Sequence, residues 1–337
     1  MPHHTSARHT RLIAALATVA ALALAGCSAS GEGTGTDASG ATIEHAFGET
    51  TVPAHPERVV TLGWGSADAA LALGVVPAAI EAQSYGGDEN GVLPWIAERV
   101  NELDAKVPEV VPSSSEEPAY EDIAAVRPDL ILAPYSGITK EQYELLSDIA
   151  PTVAYPDKPW NTPWRDVVTI VGEALGKQSE AKSVLADIDA TLKRTASEHP
   201  EFEGLTVAAV WDVAGTFYVY RPADARVGFL FDLGFTGAPA VENLANGDST
   251  FYYTLSYERL GEIDSDVLVS FSDTEGEATA FLAKPYARAI PAVASGAVAA
   301  ITGTQLVAAV SPPTALSLTW GLDAYVTALS EAAAHAR

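Results

Sequence analysis

The chain has 337 residues, 48% of them hydrophobic and 19% charged, so it can fill two domains and is too apolar to be disordered. Its 19 Lys and Arg against 44 Asp and Glu leave a formal charge of −25, a field that repels phosphate backbones and excludes nucleic acid as a partner. The single cysteine, Cys27, rules out an intramolecular disulfide and a cysteine-built metal site.

The first residues carry Arg8 and Arg11 and no acid, and residues 12–24 are apolar apart from Thr18. As a helix that run spans about 20 Å, too short to cross a bilayer. A basic start, a short apolar core and the small residues Ala25 and Gly26 describe an export signal over residues 1–27. Leu24-Ala25-Gly26-Cys27 resembles the bacterial lipobox, which implies that Cys27 is diacylated and becomes the mature N-terminus. Residues 28–41 read as a flexible Gly/Ser/Thr tether. The expected location is therefore the cell membrane, lipid-anchored on the extracytoplasmic face.

The body is expected to begin near Thr42. Residues 59–62 read as a buried strand, Gly63-Trp64-Gly65 as a turn, and Ser66 as the cap of a helix that Gly74 stops. Residues 75–79 and 130–133 are further short apolar runs. Thr139-x-x-Gln142 is a capping box opening a helix that ends before Pro151, and residues 152–155 read as one more strand. From Gln178 to Glu198, Ala181, Val184, Leu185, Ile188, Leu192 and Ala196 keep helical spacing, which predicts one helix of about 30 Å. Strands then resume at 206–211, 216–220 and 267–271, with a last helix expected from about Asp323. The pattern predicts an α/β fold of two Rossmann-like lobes with mostly parallel sheets, joined by one long linking helix. The lobes fall at 42–160 and 202–337, with linking helices over 161–201.

The chain also repeats itself. Residues 120–133, YEDIAAVRPDLILA, align without a gap on residues 257–270, YERLGEIDSDVLVS. Tyr120/Tyr257, Glu121/Glu258 and Asp129/Asp266 are identical, which favours duplicated lobes over chance. Leu73-Gly74-Val75 and Leu233-Gly234-Phe235 echo each other in the same way.

The stretches PERVVTLGWGSADAALALGVVPAA (56–79), EDIAAVRPDLILAPYSGITKEQYELLSDIAPTVAY (121–155), TPWRDVVTIVGEALGK (162–177) and SYERLGEIDSDVLV (256–269) resemble the substrate-binding lipoproteins of ferric-siderophore and cobalamin ABC importers. The resemblance is to the helix-linked class of periplasmic binding proteins. It implies a ligand held between two lobes with little hinge motion. It also implies that Glu121 and Glu258, one in each copy of the repeat, dock onto permease arginines; helix-dipole complementarity is the competing reading of both. Lys284-Pro285-Tyr286 and Ser295-Gly296-Ala297 stand where relatives often carry a Trp and a basic residue, so contacts made there are not carried over.

Gly63-Trp64-Gly65 fails as a dinucleotide fingerprint because Asp68 occupies the third glycine position and would repel a pyrophosphate. The loops at strand tips are instead repeatedly aromatic. Trp64, Tyr85, Tyr135 and Trp160 in the first lobe, and Trp211, Tyr220, Tyr252 and Tyr253 in the second, are the candidate ligand-binding rings, with Arg221 the candidate charged donor. Trp95 and Trp320 read as core. Stacked rings with hydroxyl or indole donors suit a ferric siderophore, a large chelate with apolar faces. One arginine, or two counting Arg226, in an acidic protein fits a neutral or cationic trihydroxamate better than a multiply anionic catecholate or citrate complex. No nucleophile–base pair or converging set of metal ligands is recognisable, so neither an enzyme, a resident metal nor a cofactor is expected. The expectation is a monomeric receptor that captures a ferric siderophore and delivers it to a permease. The alternatives are a haem or cobalamin receptor of the same fold, or a tethered cell-envelope enzyme.

Overall fold

A computed structural model of the chain describes residues 39–113 and 117–336. The export signal and Cys27 lie outside the described residues. A hairpin of β1 (Ser39–His45) and β2 (Gly48–Pro53) comes first, with Ile43 and Val52 buried. Its first strand starts inside the segment expected to be tether. The correction has a simple cause: Ile43 and Val52 give the hairpin an apolar face to bury, which a tether lacks.

The first lobe alternates strand and helix: β3 (Val59–Thr61), α1 (Ser66–Ala72), β4 (Ala79–Glu81), α2 (Pro94–Glu102), β5 (Glu109–Val111), α3 (Tyr120–Val126), β6 (Leu130–Leu132), α4 (Lys140–Ile149) and β7 (Thr152–Val153). The strands are all parallel in the order β5-β4-β3-β6-β7, so the winding reverses at β3. Successive residues of β3 show why it is central: Val59 packs in one core cluster and Val60 in another, so both faces are covered. The capping box at Thr139 forms, with Gln142 returning the bond to the Thr139 backbone at 2.9 Å. Ser66 does not cap α1. It is the first helical residue, and its hydroxyl donates back to the Leu62 carbonyl at 2.7 Å.

Helix α5 (Trp164–Ala174) leads into α6 (Gln178–Glu198), whose bounds match the apolar periodicity residue for residue. Ala181, Ile188 and Leu192 are its buried stripe. The second lobe then runs β8 (Thr206–Val213), β9 (Thr216–Tyr220), α7 (Ala225–Asp232), β10 (Thr236–Gly237), α8 (Pro239–Leu244), β11 (Tyr252–Thr254), a 3-10 turn at Tyr257–Glu262, β12 (Val267–Ser272), α9 (Glu275–Leu282), α10 (Pro291–Ser295), β13 (Val298–Thr302), α11 (Thr304–Val310) and α12 (Ser317–Ala333). Its sheet has the order β11-β9-β8-β12-β13, with β9 and β11 antiparallel to their neighbours and β10, β12 and β13 parallel. Arg165 of α5 ties the linker to this lobe, holding Asp189 of α6 at 2.7 Å and Asp232 of α7 at 3.1 Å.

The repeat occupies the same station in each lobe. Each copy ends in the strand that pairs in parallel with its lobe's first strand, β6 with β3 and β12 with β8. The shared aspartate explains itself here. Asp129 accepts the backbone N–H groups of Glu57 (2.7 Å) and Arg58 (3.0 Å) just before β3. Asp266 accepts that of Thr206 at the head of β8 (2.8 Å). Each carboxylate pins two parallel strands in register. No helix among the described residues is long and apolar enough to cross a membrane.

Candidate ligand-binding cleft

Open α/β sheets present ligands at the carboxyl ends of their strands, where the winding reverses. In the first lobe that place is the tip of β3 beside the tip of β6. Gly63 (φ +74°) turns the chain there, and a Cβ on it would sit 2.2 Å from the Tyr135 carbonyl oxygen, so only glycine allows the approach. The Trp64 N–H then donates to that carbonyl at 3.1 Å, the Gly63 N–H to the Glu81 carboxylate at 2.6 Å, and Trp64 Nε1 to the Pro312 carbonyl at 2.9 Å. Burial pushes the Glu81 carboxyl above the usual range, opposed by bonds from the Gly63 N–H and the Ser113 side chain.

Beneath this turn lies Asp68, 2% exposed, which accepts Trp95 Nε1 at 2.6 Å and the Thr314 hydroxyl. Its carboxyl is pushed up to about 6 by burial. The residue that spoils the dinucleotide fingerprint is thus a buried clasp between α1 and the segment leading into α12.

Tyr135 and Trp160 stand together at the tip of β6, their rings 5.8 Å apart and edge to face. Trp160 is 53% exposed at φ +56°, a backbone state that costs a bulky residue on the order of 1 kcal/mol and that clusters at ligand sites. Its N–H donates to Ser136 at 3.0 Å, and its indole fills the space that a Cβ on Gly137 would need.

In the second lobe, strand pairing sets which rings share a face. Tyr252 lies opposite Tyr220, Tyr218 opposite Trp211, and Trp211 opposite Phe271, so these five rings line one face of the sheet. Phe271 backs both Trp211 (6.1 Å) and Tyr220 (6.0 Å). Tyr253 points the other way by the same alternation. It is 2% exposed in the outer core of this lobe, which corrects the expectation that both Tyr252 and Tyr253 reach the cleft. Tyr252 is exposed, its ring 5.5 Å from that of Tyr218.

Arg221 needs the second correction. Its guanidinium pairs with Glu242 (2.8 and 3.2 Å) and donates to the Ser249 carbonyl at 3.1 Å, so its charge is matched by a neighbouring carboxylate. The cation among the site's rings is Arg226 at the start of α7. It lies 4.1 Å over the Tyr220 ring, pairs with Asp224 at 2.7 Å and donates to the Ser311 hydroxyl. Burial raises the Tyr220 phenol to about 12 and also raises that of Tyr135, and in both the Arg226 charge pulls the other way.

The lobes meet across the cleft. Tyr85 donates its hydroxyl to Asp273 at 2.5 Å, and its ring lies 6.4 Å from Trp211. Burial and the Asp273 bond both drive the Tyr85 phenol upward, so it stays a donor. Asp273 escaped the sequence reading, although the alignment that sets Tyr120 on Tyr257 also sets Ser136, at a first-lobe strand tip, on Asp273. Phe271, Tyr218 and Asp224 were missed as well. Glu121 and Glu258 lie exposed in the first turns of α3 and of the 3-10 turn. Among the described residues no three His, Cys, Asp or Glu side chains gather to hold a metal ion.

A profile of the periplasmic binding protein family matches residues 59–304. The chain belongs to that family. Among solved structures it is similar to PiaA of Streptococcus pneumoniae TIGR4 in complex with ferrichrome, at 36% identity and a TM-score of 0.78, over 88% of this chain and 99% of that one. Among curated proteins of Bacillus subtilis (strain 168), it is 29% identical to the "Probable siderophore-binding lipoprotein YfiY" over 75% of this chain and 76% of that protein. It is also 28% identical to the Fe(3+)-citrate-binding protein YfmC, over 77% and 78% of the two chains. A family member of this kind is a substrate-binding component.

Proposed function

We propose that this protein is the extracytoplasmic receptor of an ABC importer, and that it captures a ferric siderophore of hydroxamate type. The observation that carries the reading is the charge of the cleft. Its rings are many, its cation Arg226 is neutralised by Asp224 at 2.7 Å, and Arg221 is occupied by Glu242. A tris-catecholate or citrate complex brings several negative charges and needs several unpaired Lys or Arg donors. A ferric trihydroxamate brings little or no charge and a broad apolar surface, which stacked tyrosines and tryptophans cover at small rotamer cost.

The rings assigned to the ligand are Trp64, Tyr85, Tyr135, Trp160, Trp211, Tyr220 and Tyr252, with Arg226 in place of Arg221. The ferrichrome bound by PiaA, itself a trihydroxamate, supports the assignment. The iron keeps its siderophore oxygens as ligands. Glu121 and Glu258, exposed and related by the repeat, are the contacts for a two-fold permease, and diacylated Cys27 is the anchor.

Tryptophan-fluorescence titration tests this against ferric trihydroxamate, tris-catecholate and citrate complexes, haem and cobalamin. The trihydroxamate should bind tightest. A preference for the trianionic catecholate, or a Soret band developing with haem, would overturn the assignment.

A further inference from the structure

Trp64, Tyr135, Trp164, Val168, Ala225 and Pro312, among others, wall a small cavity of about 30 Å³, room enough for a methyl or ethyl group. It joins both lobes, since Trp64 and Tyr135 belong to the tips of β3 and β6 and Ala225 to the start of α7. It is also continuous with the ligand site through Trp64 and Tyr135.

Several polar groups on its walls are already bonded elsewhere. Trp64 Nε1 is held by the Pro312 carbonyl, the Thr162 hydroxyl by the Pro134 carbonyl at 2.6 Å, and the Thr314 hydroxyl by Asp68. A water entering such a space needs two to four polar partners, whereas an apolar group needs none. The Tyr135 hydroxyl differs: it has no hydrogen-bond partner among the described residues, and burial keeps it protonated.

An apolar chamber beside one unengaged donor matches a particular chemical pattern. A hydroxamate arm carries an acyl carbon substituent directly attached to its oxygen-bearing C(=O)–N–O unit. Resting on the siderophore reading above, we propose that this cavity receives the acyl substituent of one hydroxamate arm while the Tyr135 hydroxyl donates to that arm's oxygen. The substrate class narrows accordingly, to hydroxamates carrying a short alkyl acyl group rather than a formyl or a charged one.

The test uses ferric complexes of one cyclic-peptide trihydroxamate scaffold bearing N-formyl, N-acetyl or N-propionyl groups, titrated calorimetrically. Each buried methyl carbon contributes about fourfold in affinity. Ala225→Leu, which fills the cavity, should therefore shrink the wild-type preference for acetyl over formyl by about fourfold. Val168→Ala, which removes two methyl groups from the wall, should raise the preference for propionyl over acetyl by a similar factor. Tyr135→Phe should weaken the acetyl complex by about two- to tenfold, the span of one hydrogen bond. Both cavity readouts are ratios measured on one protein sample, so a loss of stability does not obscure them. If the ratios match wild type in both cavity variants, or Tyr135→Phe binds as wild type does, the acyl-pocket assignment is overturned while the siderophore reading stands. If wild type binds none of the three complexes, the siderophore reading itself falls.

Discussion

Replacing Asp68 with Asn tests the buried clasp under the Trp64 turn. Asp68 is 2% exposed, and burial raises its carboxyl pKa from the ordinary 3.8 to about 6. Because the folded-state value lies above the unfolded one, its stabilising contribution is fully present below pH 3.8 and is lost as pH rises through 6. At 1.36 kcal/mol for each pH unit across that gap, the loss is about 3 kcal/mol. Asn keeps an acceptor oxygen for Trp95 Nε1 and the Thr314 hydroxyl but never acquires the buried charge. Urea unfolding of both proteins at pH 4 and pH 7.5 gives the difference in stability, wild type minus variant. That difference should fall by about 2.4 kcal/mol between the two pH values, since about 0.6 kcal/mol of the loss has already occurred at pH 4. A difference that stays flat, or that grows in favour of wild type at high pH, refutes the reasoning.

The double variant Glu121→Ala, Glu258→Ala should abolish iron uptake by cells while fluorescence titration shows wild-type siderophore affinity; lost affinity would reassign both residues to the ligand. Trp160→Ala should weaken ferric trihydroxamate binding about tenfold with little change in melting temperature, because the ring is 53% exposed and contributes its contacts mainly to a guest. Unchanged calorimetric affinity would remove Trp160 from the rim. Tyr253→Phe should raise stability by about 1 kcal/mol, since it deletes a buried hydroxyl with no bonding partner among the described residues, and should leave ligand affinity alone. A fall in affinity would return Tyr253 to the cleft.

What could be read from the sequence was what local periodicity or a repeated register encodes. The bounds of α6 followed from apolar spacing because that helix buries one continuous stripe along both lobes. The duplicated segment located the parallel partner of each lobe's first strand, and its shared aspartate proved to be the bond that fixes that pairing. The place of Trp64 on a turn between β3 and α1 was legible because the apolar run, the two glycines and the helix that follows are all local signals.

The misreadings share a cause in long-range geometry. Tyr252 and Tyr253 are chemically alike and adjacent, and only the pairing of β11 with β9 decides which faces the ligand side. Arg221 and Arg226 lie in one loop-to-helix passage, yet Glu242, distant in sequence, claims the first, while Asp224 and Tyr220 position the second. Helix α12 begins at Ser317 rather than near Asp323, and Gly321 lies inside it. There the missing side chain lets α11 come close, since a Cβ at that position would lie 3.1 Å from Ala309, a long-range packing demand with no local signal.

The central claim is that an iron chelate rests between the two sheets' carboxyl edges among the rings of both lobes. An anomalous-difference map at the iron absorption edge, from crystals of the protein with a ferric trihydroxamate, measures this most directly. The account predicts one peak between Tyr135 and Trp211, close to Arg226, with siderophore oxygens alone bound to the metal. A peak outside the cleft, or one ligated by a protein side chain, would contradict it.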